Sequence, residues 1–177
     1  MAGARRQFAI AQVLAEIMIR LALETDAERI GKLWTEMVLY HHQFDDTTFR
    51  AAENGAALYS RSIRDRLQDP KARILVVEKR GEIVGYVSGV IADITTEMFE
   101  PLRCGLLSDI YISEAYRRQG LGRQLVERLC LWFRHQDVTH FEWHVSARNR
   151  AALAFWQAIG GETTILRMRA QISGRGS

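Results

Sequence analysis

The sequence predicts an α/β fold in a single domain, with a mixed, largely antiparallel sheet of about six to seven strands flanked by about four helices. Three observations carry that reading. Two β-branched runs, Arg73 to Lys79 and Glu82 to Ala92, are separated by Arg80-Gly81, which is a hairpin signal. A third run, Gly105 to Ser113, extends them to three adjacent antiparallel strands. From Gly120 the period becomes helical, with Leu121, Leu125, Val126, Leu129, Trp132 and Phe133 on one face and Arg123, Glu127, Arg128 and Arg134 on the other.

The other elements follow in order. Met18 to Leu23 reads as a first strand, and Thr25 or Asp26 caps a helix whose apolar residues Ile30, Leu33, Trp34, Met37 and Val38 recur at helical spacing. His41 to Asp46 is a polar loop able to border a substrate, and a second helix runs from about Ala51 to Leu67 before Asp69-Pro70 stops it. An irregular connection, Asp93 to Cys104, leads into the third β-branched run. Thr139 to Val145 is a strand, Asn149 to Ile159 a helix closed by Gly160-Gly161, and Thr163 to Arg169 a last strand. Residues 1–17 are set apart as an N-terminal extension, 18–170 as the domain and 171–177 as a tail. Arg5-Arg6 ahead of Phe8 to Leu14 imitates a signal sequence, but Gln12 and Glu16 interrupt the pattern and no small-residue cleavage site follows.

Bulk properties narrow the function classes. The chain has 177 residues, 47% hydrophobic and 25% charged, with apolar runs far too short to cross a bilayer, so no membrane role is expected. Its net charge of +3 is spread over interleaved basic and acidic residues, which disfavours nucleic acid while allowing a polyanionic small molecule. Cys104 and Cys130 lack metal-ligand spacing, so no metal is expected, and two thiols suit a reducing cytoplasm.

The run from Asp109 to Arg123 carries the chemistry, in the order strand, loop, helix start. Unpaired N–H groups and the positive dipole end make a helix start an anion site, and Gly120 and Gly122 let phosphate approach the main chain. Arg117, Arg118 and Arg123 can add charge-assisted contacts. A P-loop is absent. The dinucleotide fingerprint begins at Gly120-Leu-Gly122 and finds Glu142 about 20 residues on, but Leu125 occupies its third small position and an antiparallel hairpin does not suit a doubly wound sheet.

Arg117, Gly120 and Gly122 match, position by position, a signature of Gln or Arg, two residues, Gly, one residue, then Gly or Ala. In this the sequence resembles the GCN5-related N-acetyltransferases, or GNAT family. Asp109-Ile-Tyr-Ile112 is similar to that family's strand four, and Asn149 with Ala152, Phe155 and Trp156 to its fourth helix. The resemblance implies acetyl-CoA as cosubstrate. Its pantetheine arm would be bonded by backbone groups of Ile110, Tyr111 and Ile112. Its pyrophosphate would be held by N–H groups of Arg118, Gln119, Gly120, Leu121, Gly122 and Arg123, with Arg117 beside them. Asn149, which also suits a helix N-cap, would contact the arm, and Ala152, Phe155 and Trp156 would line it. A primary amine of a small molecule as acceptor, with a protein amine as the alternative, and a homodimer are further implications.

Acetyl transfer to an amine requires the amine neutral, and a lysine-type ammonium has a pKa of roughly 10.4, so some group must take a proton. Asp109, on the strand the resemblance leads into the cofactor, is the first candidate base. Glu142 and His144 form a second candidate pair on their strand. Many family members protonate the departing thiolate with a tyrosine where this sequence has Trp156, whose indole is no acid near neutrality. Tyr111, water, or unaided departure of the thiolate are the replacements, and Trp156 then serves as a packing wall. Asp45, Asp46, Glu97 and Glu100 can attract a cationic amine. A non-catalytic acyl-CoA sensor or regulatory module is the alternative, supported by Trp156 and the lack of an unambiguous base.

Overall fold

The structure is a computed structural model that describes residues 17–93, 98, 100 and 102–171. They fall into two compact units, one ending at His144 and one beginning at Val145. The expected extension before residue 17, residues 94–97, 99 and 101 of the Asp93 to Cys104 connection, Glu97 among them, and the tail from residue 172 lie outside the described residues.

The first unit runs β1 (Ile17–Leu21), α1 (Ala27–His42), α2 (Gly55–Leu67), β2 (Ala72–Lys79), β3 (Glu82–Asp93), β4 (Arg103–Ile112), α3 (Leu121–His135) and β5 (Phe141–Glu142). Its sheet has the order β1-β2-β3-β4-β5. The first three pairings are antiparallel and β4 with β5 is parallel. Positive φ at Arg80 (51°) and Gly81 (81°) makes the expected two-residue turn between Lys79 and its partner Glu82.

Uninterrupted burial from Ile74 to Val77 and from Ile83 to Gly89 requires cover on both faces of β2 and β3. On one face Ile30 and Leu33 of α1 and Ile63 of α2 join Ile74, Val76, Tyr86 and Tyr111 in one core cluster. On the other lies α3, which buries Leu121, Leu125, Val126, Leu129, Trp132 and Phe133, the six residues of its predicted apolar face. A Cβ on Gly105 would stand 2.6 Å from the Phe133 ring, so the helix sits this close only because β4 has no side chain there.

Five expectations need correction. The described residues form five strands, not six to seven. The strand predicted from Thr139 to Val145 pairs only at Phe141–Glu142. Thr163 to Arg169 has no regular structure and is exposed throughout, because strand composition alone supplies no ladder partner. At the helix starts, α2 begins at Gly55 rather than Ala51, and Asp26 does not cap α1 with its side chain. Its carboxylate turns back to the Leu23 N–H at 2.8 Å and to Arg20 at 2.6 Å, an ion pair that Glu78 completes at 2.7 Å.

β4 carries a bulge at Ser108: Asp109 pairs with Ser88 and Leu107 with Gly89, leaving one extra residue between them. The bulge comes shortly after Leu106, the last β4 residue to pair with β5.

The second unit contains α4 (Arg150–Ala158), capped by Asn149, whose Oδ1 accepts the Ala152 N–H at 3.0 Å. It ends as the glycine pair predicts. Gly160, at φ 93°, donates to Gln157 O and Gly161 to Trp156 O, the two bonds of a Schellman motif.

Candidate active site

The open edge of β4 is the first component. Ser113 donates its N–H to Val84 O at 2.9 Å. By the alternation of an antiparallel ladder, Ser113, Tyr111 and Asp109 then turn their main-chain groups toward β3, and Ile110 and Ile112 turn theirs to the opposite edge. β5 pairs with that edge only at Gly105 and Leu106. Past the bulge, the edge is therefore free of a neighbouring strand among the described residues. Arg117 reaches back along it, its Nε donating to Ile112 O at 2.9 Å.

The second component is the turn into α3. Arg117 is held over the rings of Tyr40 (4.5 Å) and Tyr111 (5.2 Å), and Lys79 lies over Tyr116 at 4.9 Å. Ser113 donates its hydroxyl to Glu36 at 3.1 Å, tying the loop entry to α1. These contacts fix a backbone that takes two left-handed steps, at Arg118 (φ 61°) and Gly120 (φ 78°). At an arginine that conformation costs roughly 1–2 kcal/mol, and at glycine almost nothing. The consequence is a run of main-chain donors facing out: among the described residues, the N–H groups of Arg118, Gln119, Gly120, Leu121 and Gly122 have no hydrogen-bond acceptor. Arg118, Gln119 and Arg123 lie beside them at the surface. Left-handed and right-handed residues in succession, followed by a helix N-terminus, concentrate positive potential there.

The third component lies on the sheet face covered by α1 and α2. Tyr59 donates its hydroxyl to Asp109 Oδ2 at 2.7 Å. Arg66, about two turns further along α2, bonds Ser88 Oγ at 3.1 Å, and Ser88 is the β3 partner of Asp109. Burial raises the Asp109 carboxyl above its ordinary range, while the Tyr59 hydrogen bond and the charges of Arg66 and His41 pull it back down. Burial and the nearby Asp109 push the Tyr59 hydroxyl far up, so it donates a proton in a hydrogen bond without releasing it. Tyr111 is buried on the same face, and its hydroxyl is raised by burial despite the Arg117 charge.

The remaining predicted residues stand elsewhere. Glu142 and His144 are both exposed, and the Glu142 charge adds to burial in raising the Cys104 thiol. Asp45 engages Thr47 and Thr48 of its own loop. In the second unit, Asn149 and Trp156 are buried and Ala152 and Phe155 are less so. A cavity of about 200 Å³ is lined by Cys130, Phe133, His140 and Phe141 among others, and one of about 130 Å³ by Leu21, Arg66 and Arg73 among others. Neither touches Asp109 or the glycine turn. Sequence reasoning missed Tyr59, Arg66 and Ser88. The available signal was a polar tip on a buried stripe, since Tyr59, Ile63 and Arg66 share one helical face.

An open strand edge leading into a row of unsatisfied N–H groups, with a carboxylate on the adjoining sheet face, defines an α/β protein with an anion-binding turn beside a free strand edge. Residues 36–160 match the model of the acetyltransferase (GNAT) family, and the chain belongs to that family. A mutant of the BH1408 protein from Bacillus halodurans is similar at 23% identity and a TM-score of 0.79, over 88% of this chain and 99% of that one. A transcriptional regulator from Bacillus halodurans C-125 is similar at 19% and 0.67, over 88% and 99%. The aminoglycoside N-acetyltransferase AAC(6')-Iy in complex with CoA is similar at 16% and 0.68, over 88% and 94%. At such identities these structures share the fold. A comparison with curated protein sequences gives no significant match.

Proposed function

We propose that this protein transfers an acetyl group from acetyl-CoA to a primary amine of a small molecule, by direct attack in a ternary complex. The observation that carries the reading is the row of five N–H groups from Arg118 to Gly122 at the end of the open β4 edge. A pyrophosphate needs several donors at once, and these residues fit it without a side chain intervening. The main-chain groups of Ile110 and the Ile112 N–H face the edge along which pantetheine amides would pair. Tyr111 is not among them, since its main chain faces β3. Arg118 and Arg123 supply charge at the surface, and Arg117 acts on the turn itself, which it braces through Ile112 O and two aromatic rings. Asn149, Ala152, Phe155 and Trp156 enter through the family motif alone.

The thioester supplies an activated acetyl carbon. Asp109 takes a proton from the acceptor ammonium or from the amine as it attacks, the C–N bond forms, and the C–S bond breaks. The thiolate leaves as such, with a thiol pKa near roughly 8.5. Burial makes Tyr111 a poorer acid than an ordinary tyrosine, so solvent is the proton source. The exposed Glu142 is the reserve base. Neighbours that are aminoglycoside acetyltransferases favour a polyamine-like acceptor, and the family resemblance favours a homodimer, which light scattering checks.

The second reading is a non-catalytic acyl-CoA sensor, favoured by Trp156 and by the neighbour described as a transcriptional regulator. One experiment separates them. Thiol release from acetyl-CoA is followed across polyamines, aminoglycosides and amino acids, alongside a calorimetric titration with CoA. Amine-dependent release supports the enzyme; tight binding with no release for any amine supports the sensor; absence of binding removes both.

A further inference from the structure

The helix that faces Asp109 does more than cover the sheet. Tyr59 and Arg66 project from one stripe of α2 onto neighbouring residues of the β3–β4 ladder, Tyr59 to Asp109 and Arg66 to Ser88. Tyr59 has little freedom to do otherwise: its ring stacks on Trp34 at 5.1 Å and 12°, and meets Tyr86 edge-on at 6.2 Å. Its hydroxyl is thereby delivered to one carboxylate oxygen, Oδ2, at 2.7 Å. Among the described residues Oδ1 receives no hydrogen bond, so one oxygen is fixed and the other is available.

We propose that Tyr59 is a positioning residue for proton transfer: it anchors Asp109 through Oδ2 and leaves Oδ1 as the oxygen that accepts the proton of the incoming amine. This rests on the acetyltransferase reading, with Asp109 as base. The groups that face the carboxylate are Tyr59 and Arg66 from α2, His41 from α1, Tyr86 and Ser88 from β3, and Tyr111 two residues along β4. Tyr59 alone among the described residues donates directly to it. Arg66 acts through space and through Ser88, as a secondary support.

A hydrogen bond to the ionised form lowers a carboxyl pKa, so its removal raises it. Tyr59→Phe keeps the ring and its stack on Trp34 while deleting only the hydroxyl. Two readouts on the full-length protein are needed: the pH profile of kcat/KM for the amine, and the Asp109 titration followed by NMR of carboxyl-labelled aspartate. Tyr59→Phe should raise both midpoints together by about one pH unit, with the KM for acetyl-CoA unchanged. Arg66→Gln should move both in the same direction by less, and serves as the second variant if Tyr59→Phe folds poorly. An Asp109 midpoint that does not move overturns the proposal at its base. An Asp109 midpoint that moves while the kinetic limb stays put overturns the positioning role. Failure of the acetyltransferase reading is seen separately, as a wild-type protein that binds no CoA or acetylates no amine.

Discussion

From Arg118 to Gly122 the groups turned outward are main-chain N–H, set by two left-handed residues in one continuous stretch of chain. Around Asp109 the working groups are side chains gathered from α1, α2, β3 and β4, residues up to 68 positions apart between His41 and Asp109. The two regions share β4 and differ in what breaks them. A main-chain site keeps its donors whatever side chains it carries and fails when a Cβ forbids its dihedrals. A side-chain site tolerates changes in shape and fails when one polar atom is removed.

Four substitutions sharpen that contrast, taken from the largest effect to the smallest. Asp109→Asn keeps the size of the side chain and deletes the base, so kcat should fall by roughly 10²–10⁴ with little change in CoA affinity. The wild-type acid limb should lie above the ordinary aspartate range, because burial raises this carboxyl and the rate is lost as pH falls through the raised value. The variant should lack that limb. Linkage gives the sign for stability as well: the folded protein holds the Asp109 proton more tightly than the unfolded chain. The group's contribution to stability therefore falls as pH rises from the ordinary range through the raised value. Denaturant titrations of Asp109→Asn, whose side chain is neutral throughout, should lack that dependence.

Gly120→Val forces a β-branched residue to φ 78°. CoA affinity measured by calorimetry should fall about a hundredfold, while the far-ultraviolet spectrum stays intact and Asp109 keeps its titration. Arg117→Ala removes the brace rather than a phosphate ligand, and should weaken CoA by about tenfold, ~1.4 kcal/mol; an unchanged salt dependence of binding separates a brace from a charge contact. Asn149→Ala deletes the α4 cap, and should cost about 1 kcal/mol in urea unfolding.

The same contrast explains how much is legible in the sequence. The glycine turn can be read from Arg117, Gly120 and Gly122 because a local conformational need leaves a local mark. The buried face of α3 follows residue for residue from its period, and the Asn149 cap and Gly160-Gly161 stop from their positions. Tyr59, Arg66 and Ser88 leave no such mark, since their role depends on which helix crosses which strands. Asp26 misleads for a similar reason: the cap it could make locally loses to an ion pair with Arg20, which also engages Glu78 across β1 and β2. Thr163 to Arg169 has strand composition, but composition does not provide a ladder partner.

The central claim is that the amides from Arg118 to Gly122 hold a pyrophosphate, and amide NMR tests it most directly. The protein is titrated with CoA, with ADP, and with pantetheine, which lacks the pyrophosphate. CoA and ADP should move these five amide resonances downfield together while pantetheine leaves them in place. CoA bound to saturation with those five resonances unmoved would contradict the claim.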